Sequence, residues 1–95
     1  MASWLEVLRE KNELAVMLGK KIPHMLTCET LTLGEVTELY KLLEGHARGM
    51  EEIVEKMEQD DLPESYYQVA EDLDNIFTNL AAAAAEKLSK IRDNA

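Results

Sequence analysis

The chain has 95 residues, 46% of them hydrophobic, and carries 19 acids against 10 lysines and arginines for a formal charge of −9. That length fits one domain, 1–95, whose small core makes self-association a natural way to hide further surface. A uniformly acidic surface repels phosphate and anionic lipid, which argues against direct nucleic-acid and membrane binding and is compatible with divalent cations, a basic protein surface or simply solubility.

Sustained polar–apolar alternation is absent, and only four Gly and two Pro interrupt the chain, so the expected class is all-α. The N-terminus is acidic and amphipathic where a signal peptide is basic and then apolar. Ser3 and Glu6 match a capping box, and Trp4, Leu5, Leu8, Ala15 and Leu18 then share one broad side. Gly19 is expected as the left-handed residue closing this first helix, about 4–18, with Pro23 preventing its resumption. The connector that follows is rich in apolar groups, so Met25, Leu26 and Cys28 are expected to tuck under the bundle. Cys28 is the sole cysteine. It admits no internal disulfide and no cysteine-held zinc, and it points to a reducing, cytoplasmic setting.

Thr32 and Glu35 form a second capping box, with Leu31 and Val36 placed as a hydrophobic staple. Val36, Leu39, Leu43, His46, Met50, Ile53 and Met57 step by three and four, which predicts one seam along a helix over 32–59. Gly45 and Gly49 each cost about 1 kcal/mol in a helix interior, yet a continuous helix fits the pattern better than a break. Asp61 is a candidate cap and Pro63 suits the first turn of the third helix, 63–92. Its expected seam is Tyr66, Val69, Leu73, Ile76, Leu80, Ala84, Leu88 and Ile91. The short turn makes the second and third helices antiparallel neighbours. The expected architecture is an elongated helical bundle of two long antiparallel helices plus a shorter N-terminal one. "LAAAAA" (80–85) is too short to span a bilayer. Tyr67, Glu71, Thr78, Ala82 and Ala85 form a small-residue side of the third helix, a candidate contact for a dimer or partner.

Glu51, Glu52, Glu55, Glu71 and Asp74 recur at helical spacing on the two long helices. Residues three apart share a helix side, so two such pairs can offer oxygen ligands to a hard cation. The same pattern is also what the solvated side of an ordinary bundle carries, with Lys41, Arg48 and Lys56 interspersed. His46, inside the seam, reads first as a packed residue. Met17, Met25, Met50 and Met57 read as core filler.

The sequence Glu51-Glu52-x-x-Glu55, followed by Glu71-x-x-Asp74, resembles the signature of the all-α MazG-like nucleoside triphosphate pyrophosphohydrolases and their short phosphoribosyl-ATP relatives. "GMEEIVEKM" looks like that family's first acidic helix and "VAEDLDNIFTNLAAAAAE" like its second. The likeness covers about residues 32–86. It implies Glu52, Glu55, Glu71 and Asp74 as ligands of Mg²⁺, Glu51 as the group acting on the attacking water, and His46 and Arg48 as phosphate contacts. No fourth helix is visible, so the resemblance requires a homodimer to complete a pocket. The alternative, from a different class, is a small acidic helical interaction protein that binds and modulates a larger, basic protein without chemistry of its own.

Overall fold

The computed structural model describes residues 3–93 and contains three helices, α1 (Trp4–Leu26), α2 (Leu33–Glu58) and α3 (Glu64–Asp93), with no strand among the described residues. The fold is an all-α bundle. Each start has a local cause. Ser3 Oγ accepts the Glu6 N–H at 3.2 Å, taking one of the orphan amides of α1. At α2 the capping box is reciprocal: Glu35 N–H donates to Thr32 Oγ1 at 3.2 Å and Thr32 N–H to Glu35 Oε1 at 3.1 Å. The Thr32 N–H, and then the Thr32 hydroxyl donating to the same Oε1 at 2.9 Å, hold the Glu35 carboxyl below its ordinary range.

α1 is longer than its sequence suggests. It passes through Gly19, which takes no left-handed conformation, and through Pro23, and ends at Leu26. Burial explains the override. Leu8, Ala15, Leu18 and Ile22 are buried and Leu26 half-buried, so the apolar stripe continues past the proline. The core gained by Ile22 outweighs the one helical bond Pro23 cannot donate. Of the connector residues expected to tuck in, Met25 and Cys28 are exposed. Thr27 instead closes α1, its N–H and Oγ1 both donating to the His24 carbonyl, at 3.2 and 2.7 Å. His24 therefore lies in the last turn of α1 and not in a loop.

α2 runs without a break through Gly45 and Gly49. Val36, Leu43, Met50 and Met57 are fully buried and Leu39, His46 and Ile53 half-buried, as their spacing requires. In the turn that follows, Asp61 takes the one positive φ among the described non-glycine residues, 49°, and supplies the reversal itself; Pro63 stands just outside α3 and its carbonyl accepts the Tyr66 N–H at 3.0 Å.

The α3 seam is rotated from the expected one. Ala70, Leu73, Phe77, Leu80, Ala81 and Ala84 are buried, whereas Val69 and Ile76 are exposed. The alanines explain the rotation. A thin side of α3 lets α2 approach closely, and Phe77 then fills the centre, fully buried. α3 packs on both other helices. Leu5 and Arg9 lie beside Ser65 and Val69 at one end, and Pro23 and Leu26 beside Ala83 and Lys90 at the other, so α1 runs parallel to α3. The bundle measures 50 × 21 × 20 Å. With 23 residues against 26 and 30, α1 covers most of the hairpin instead of half of it. Leu5, Met17 and Met25, expected inside, are exposed.

Candidate functional site

Between α2 and α3, on the side away from α1, lies an open groove of about 390 Å³. Tyr40, Glu44, Arg48 and Glu51 line it from α2, and Thr78, Ala82 and Ala85 from α3. Five residues singled out in the sequence for different reasons, Arg48, Glu51, Thr78, Ala82 and Ala85, thus meet along one surface. Thr78 donates to Asp74 Oδ1 at 3.5 Å, one turn away. The Glu44 carboxylate beside Tyr40 raises the phenol above its ordinary range.

The five carboxylates do not converge. Glu51, Glu52, Glu55 and Glu71 are exposed and Asp74 half-buried. Glu52 stands about 100° further round α2 than Glu51 and points away from the groove. No three His, Cys, Asp or Glu side chains among the described residues gather closely enough to hold a metal ion. Hard cations need several oxygens at short range, so one chain does not fit Mg²⁺ at these residues.

The phosphate-binding candidates already have neighbours. Arg48 pairs with Glu44 along the same helix. His46 stacks on Phe77 with ring centroids 5.3 Å apart and planes at 26°. Burial, and then the charge of Lys11 on α1, push the imidazole below its ordinary pKa. His46 therefore behaves as a packed neutral ring. No polar or charged side chain among the described residues is fully buried. Tyr67, expected on an outer contact, turns its hydroxyl inward: it donates to the Met57 carbonyl at 2.8 Å and accepts the Leu62 N–H at 3.4 Å.

Charge is not spread evenly, as composition alone suggests. Residues 33–64 hold ten of the acids against three bases, while the rest of the chain holds nine against seven. The excess therefore sits on α2 and the turn after it. A second surface, invisible to a seam-based reading, is the groove of about 440 Å³ between the outer edges of α1 and α3, lined by Leu5, Leu8, Tyr66 and Val69 with Arg9 and Asn12. Its sequence signal is the i, i+7 pair Val69 and Ile76, whose spacing fits a core seam equally well.

No family model, curated protein or solved structure matches the chain.

Proposed function

We propose that the protein is a non-enzymatic, acidic helical interaction module that binds a basic surface on a larger protein through α2. The observation that carries this is the concentration of ten acids against three bases over residues 33–64, displayed on exposed helix surface instead of converging on a cation. Charge arrayed in this way steers encounter with a complementary surface and sets its orientation. The test is binding to basic proteins of known structure, followed by backbone amide shifts. A partner that perturbs Glu51, Glu55 and Glu58, and is lost at high salt or on Glu51→Lys with Glu55→Lys, supports the reading. Binding that survives both sinks it.

The second reading, a magnesium-dependent nucleotide pyrophosphohydrolase of the MazG-like type or a degenerate relative, is supported by the meeting of Arg48, Glu51 and Thr78 in one groove. It needs carboxylates from another subunit. Pyrophosphate release from common nucleotides in the presence of Mg²⁺, abolished by Glu52→Gln and Glu55→Gln, is the result that would establish it over the first. No helix among the described residues is long and apolar enough to cross a membrane; the lone cysteine, Cys28, is what supports a reducing, cytoplasmic setting.

A further inference from the structure

The outer edges of α1 and α3 form one continuous apolar strip. Leu5 and Val16 lie 11 residues apart and Val69 and Ile76 seven apart, so each pair returns to the same side of its helix. Because Leu5 and Val69 line one groove, Val16 and Ile76 continue its two walls toward the middle of the bundle. These four side chains are 52%, 49%, 42% and 37% exposed, half of the large apolar side chains that the described surface shows. Beyond them the strip runs on through Pro23, Leu26 and Ala83 into a second hollow of about 250 Å³.

The charges along this strip are ordered. Of the charged residues, Arg9 lines the groove at the Leu5 end, and helical spacing sets Glu6, Glu13 and Asp72 along its flanks. At the Pro23 end Glu86, Lys87 and Lys90 line the hollow, and the same spacing sets Lys20 beside them. One end is therefore acidic and the other basic, with the apolar side chains between.

A surface with that order is its own complement. Turned end for end about an axis through the middle of the strip, near Val16 and Ile76, it sets apolar centre on apolar centre and each acidic end on a basic one. We infer that a second copy of this chain docks here, antiparallel and two-fold symmetric, through α1 and α3. Such an isologous contact satisfies both ends at once. A foreign helix has no reason to carry the same order. The arrangement also leaves the acid-rich α2 of each copy on the outside, far from its twin, which a chain of charge −9 requires if it is to self-associate.

The area is adequate for a reversible dimer. The stretch from Leu5 to Pro23 rises about 27 Å, and the bundle is 21 Å across. A footprint of about 500 Å² per copy gives a total of about 1,000 Å², at the threshold for a biological contact and below the standard size. With α1 and α3 covered, both α2–α3 grooves face outward, so this dimer does not bring the carboxylates of two chains together. It is independent of which reading of α2 is correct.

Sedimentation equilibrium of the full chain between about 1 µM and 1 mM reads the association directly. The expected result is a monomer–dimer equilibrium that Val16→Glu or Ile76→Glu shifts at least tenfold toward monomer, with helical circular dichroism unchanged because both positions already face water. Lys20→Glu weakens the dimer, and adding Glu13→Lys to the same chain restores it, because three residues before and four after Val16 they meet across the two-fold axis. In a Cys28→Ser background, Ile76→Cys gives a disulfide-linked dimer on mild oxidation and Glu52→Cys does not. A monomer throughout the concentration range overturns the inference. So does a dimer indifferent to Val16→Glu and Ile76→Glu but broken by Ala82→Arg, or a monomer that takes up an added amphipathic helical peptide in this groove.

Discussion

Tyr67 and His46 are both engaged by the fold, Tyr67 through its hydroxyl and His46 through its ring. The Tyr67 hydroxyl donates to the Met57 carbonyl near the end of α2, alongside the Asp60 N–H at 3.0 Å, and accepts the Leu62 N–H in the turn, which otherwise depends on solvent. Tyr67→Phe is expected to cost about 1 kcal/mol, read as a lower urea midpoint with an unchanged slope. A contact residue whose job is a partner would show no such loss in the isolated chain. His46 is stacked on Phe77 of α3 and faces Lys11 of α1. Its folded pKa lies below the ordinary value of about 6.5 that the unfolded chain retains. On acidification through that value the unfolded state takes up the proton first, so the contribution of His46 is full above it and is lost as pH falls toward the folded pKa. The wild type is therefore expected to lose more melting temperature between pH 7.5 and pH 5.5 than His46→Gln, in which this proton is missing while the carboxylates titrate alike. Equal losses in the two proteins would remove the role given to burial.

At the scale of elements, most of the fold was legible because its signals are local. Thr32 and Glu35 announce α2 by chemistry confined to one turn, and the 3-4 spacing from Val36 to Met57 is a direct image of the buried seam. The misreadings have a common cause in long-range packing. Gly19 and Pro23 look like a stop when viewed locally, but Ile22 between them is buried on a neighbouring helix, and that burial decides the matter. Phe77 and Ala81 take the core places expected of Val69 and Ile76, a choice between two similar apolar edges that spacing alone does not make. The α1 case has a measurable consequence. Pro23 is exposed and inside the helix, so alanine forfeits little buried surface there. Pro23→Ala restores the helical donor and relieves the ring's clash with the carbonyl of Gly19, partly offset by a freer unfolded chain. The net gain is expected at about 2 kcal/mol in chemical denaturation. A loss on this substitution would mean that α1 ends at Gly19.

For the whole molecule the decisive quantity is where the charge sits, and this is the part of the candidate site that composition and motif spacing left open. Glu51, Glu52, Glu55, Glu71 and Asp74 can be counted in the sequence, but whether they meet depends on the rotation of α2 and α3 about their axes, which the core sets and the acids do not. With the seam where it is, only Glu51 and Asp74 adjoin the α2–α3 groove through named neighbours, Arg48 and Thr78, and Glu52 is turned outward. Glu55 is the sharpest probe of what this means. At helical contact spacing it has Glu51 four residues before it, Glu52 three before and Glu58 three after, and no base. Each like-charged pair at such spacing destabilises a helix by about 0.2–0.5 kcal/mol, so Glu55→Gln is expected to stabilise the protein by about 0.5–1 kcal/mol in dilute buffer. Salt near 1 M shortens the screening length to about 3 Å, so the gain should vanish there. Millimolar Mg²⁺ should change the wild type and Glu55→Gln alike, through screening only. If these carboxylates instead hold a cation in an assembled state, both signs reverse: Mg²⁺ raises the wild-type melting temperature, and Glu55→Gln removes that rise. Four thermal melts, two proteins with and without Mg²⁺ at matched ionic strength, separate a repelling acidic helix from a metal centre.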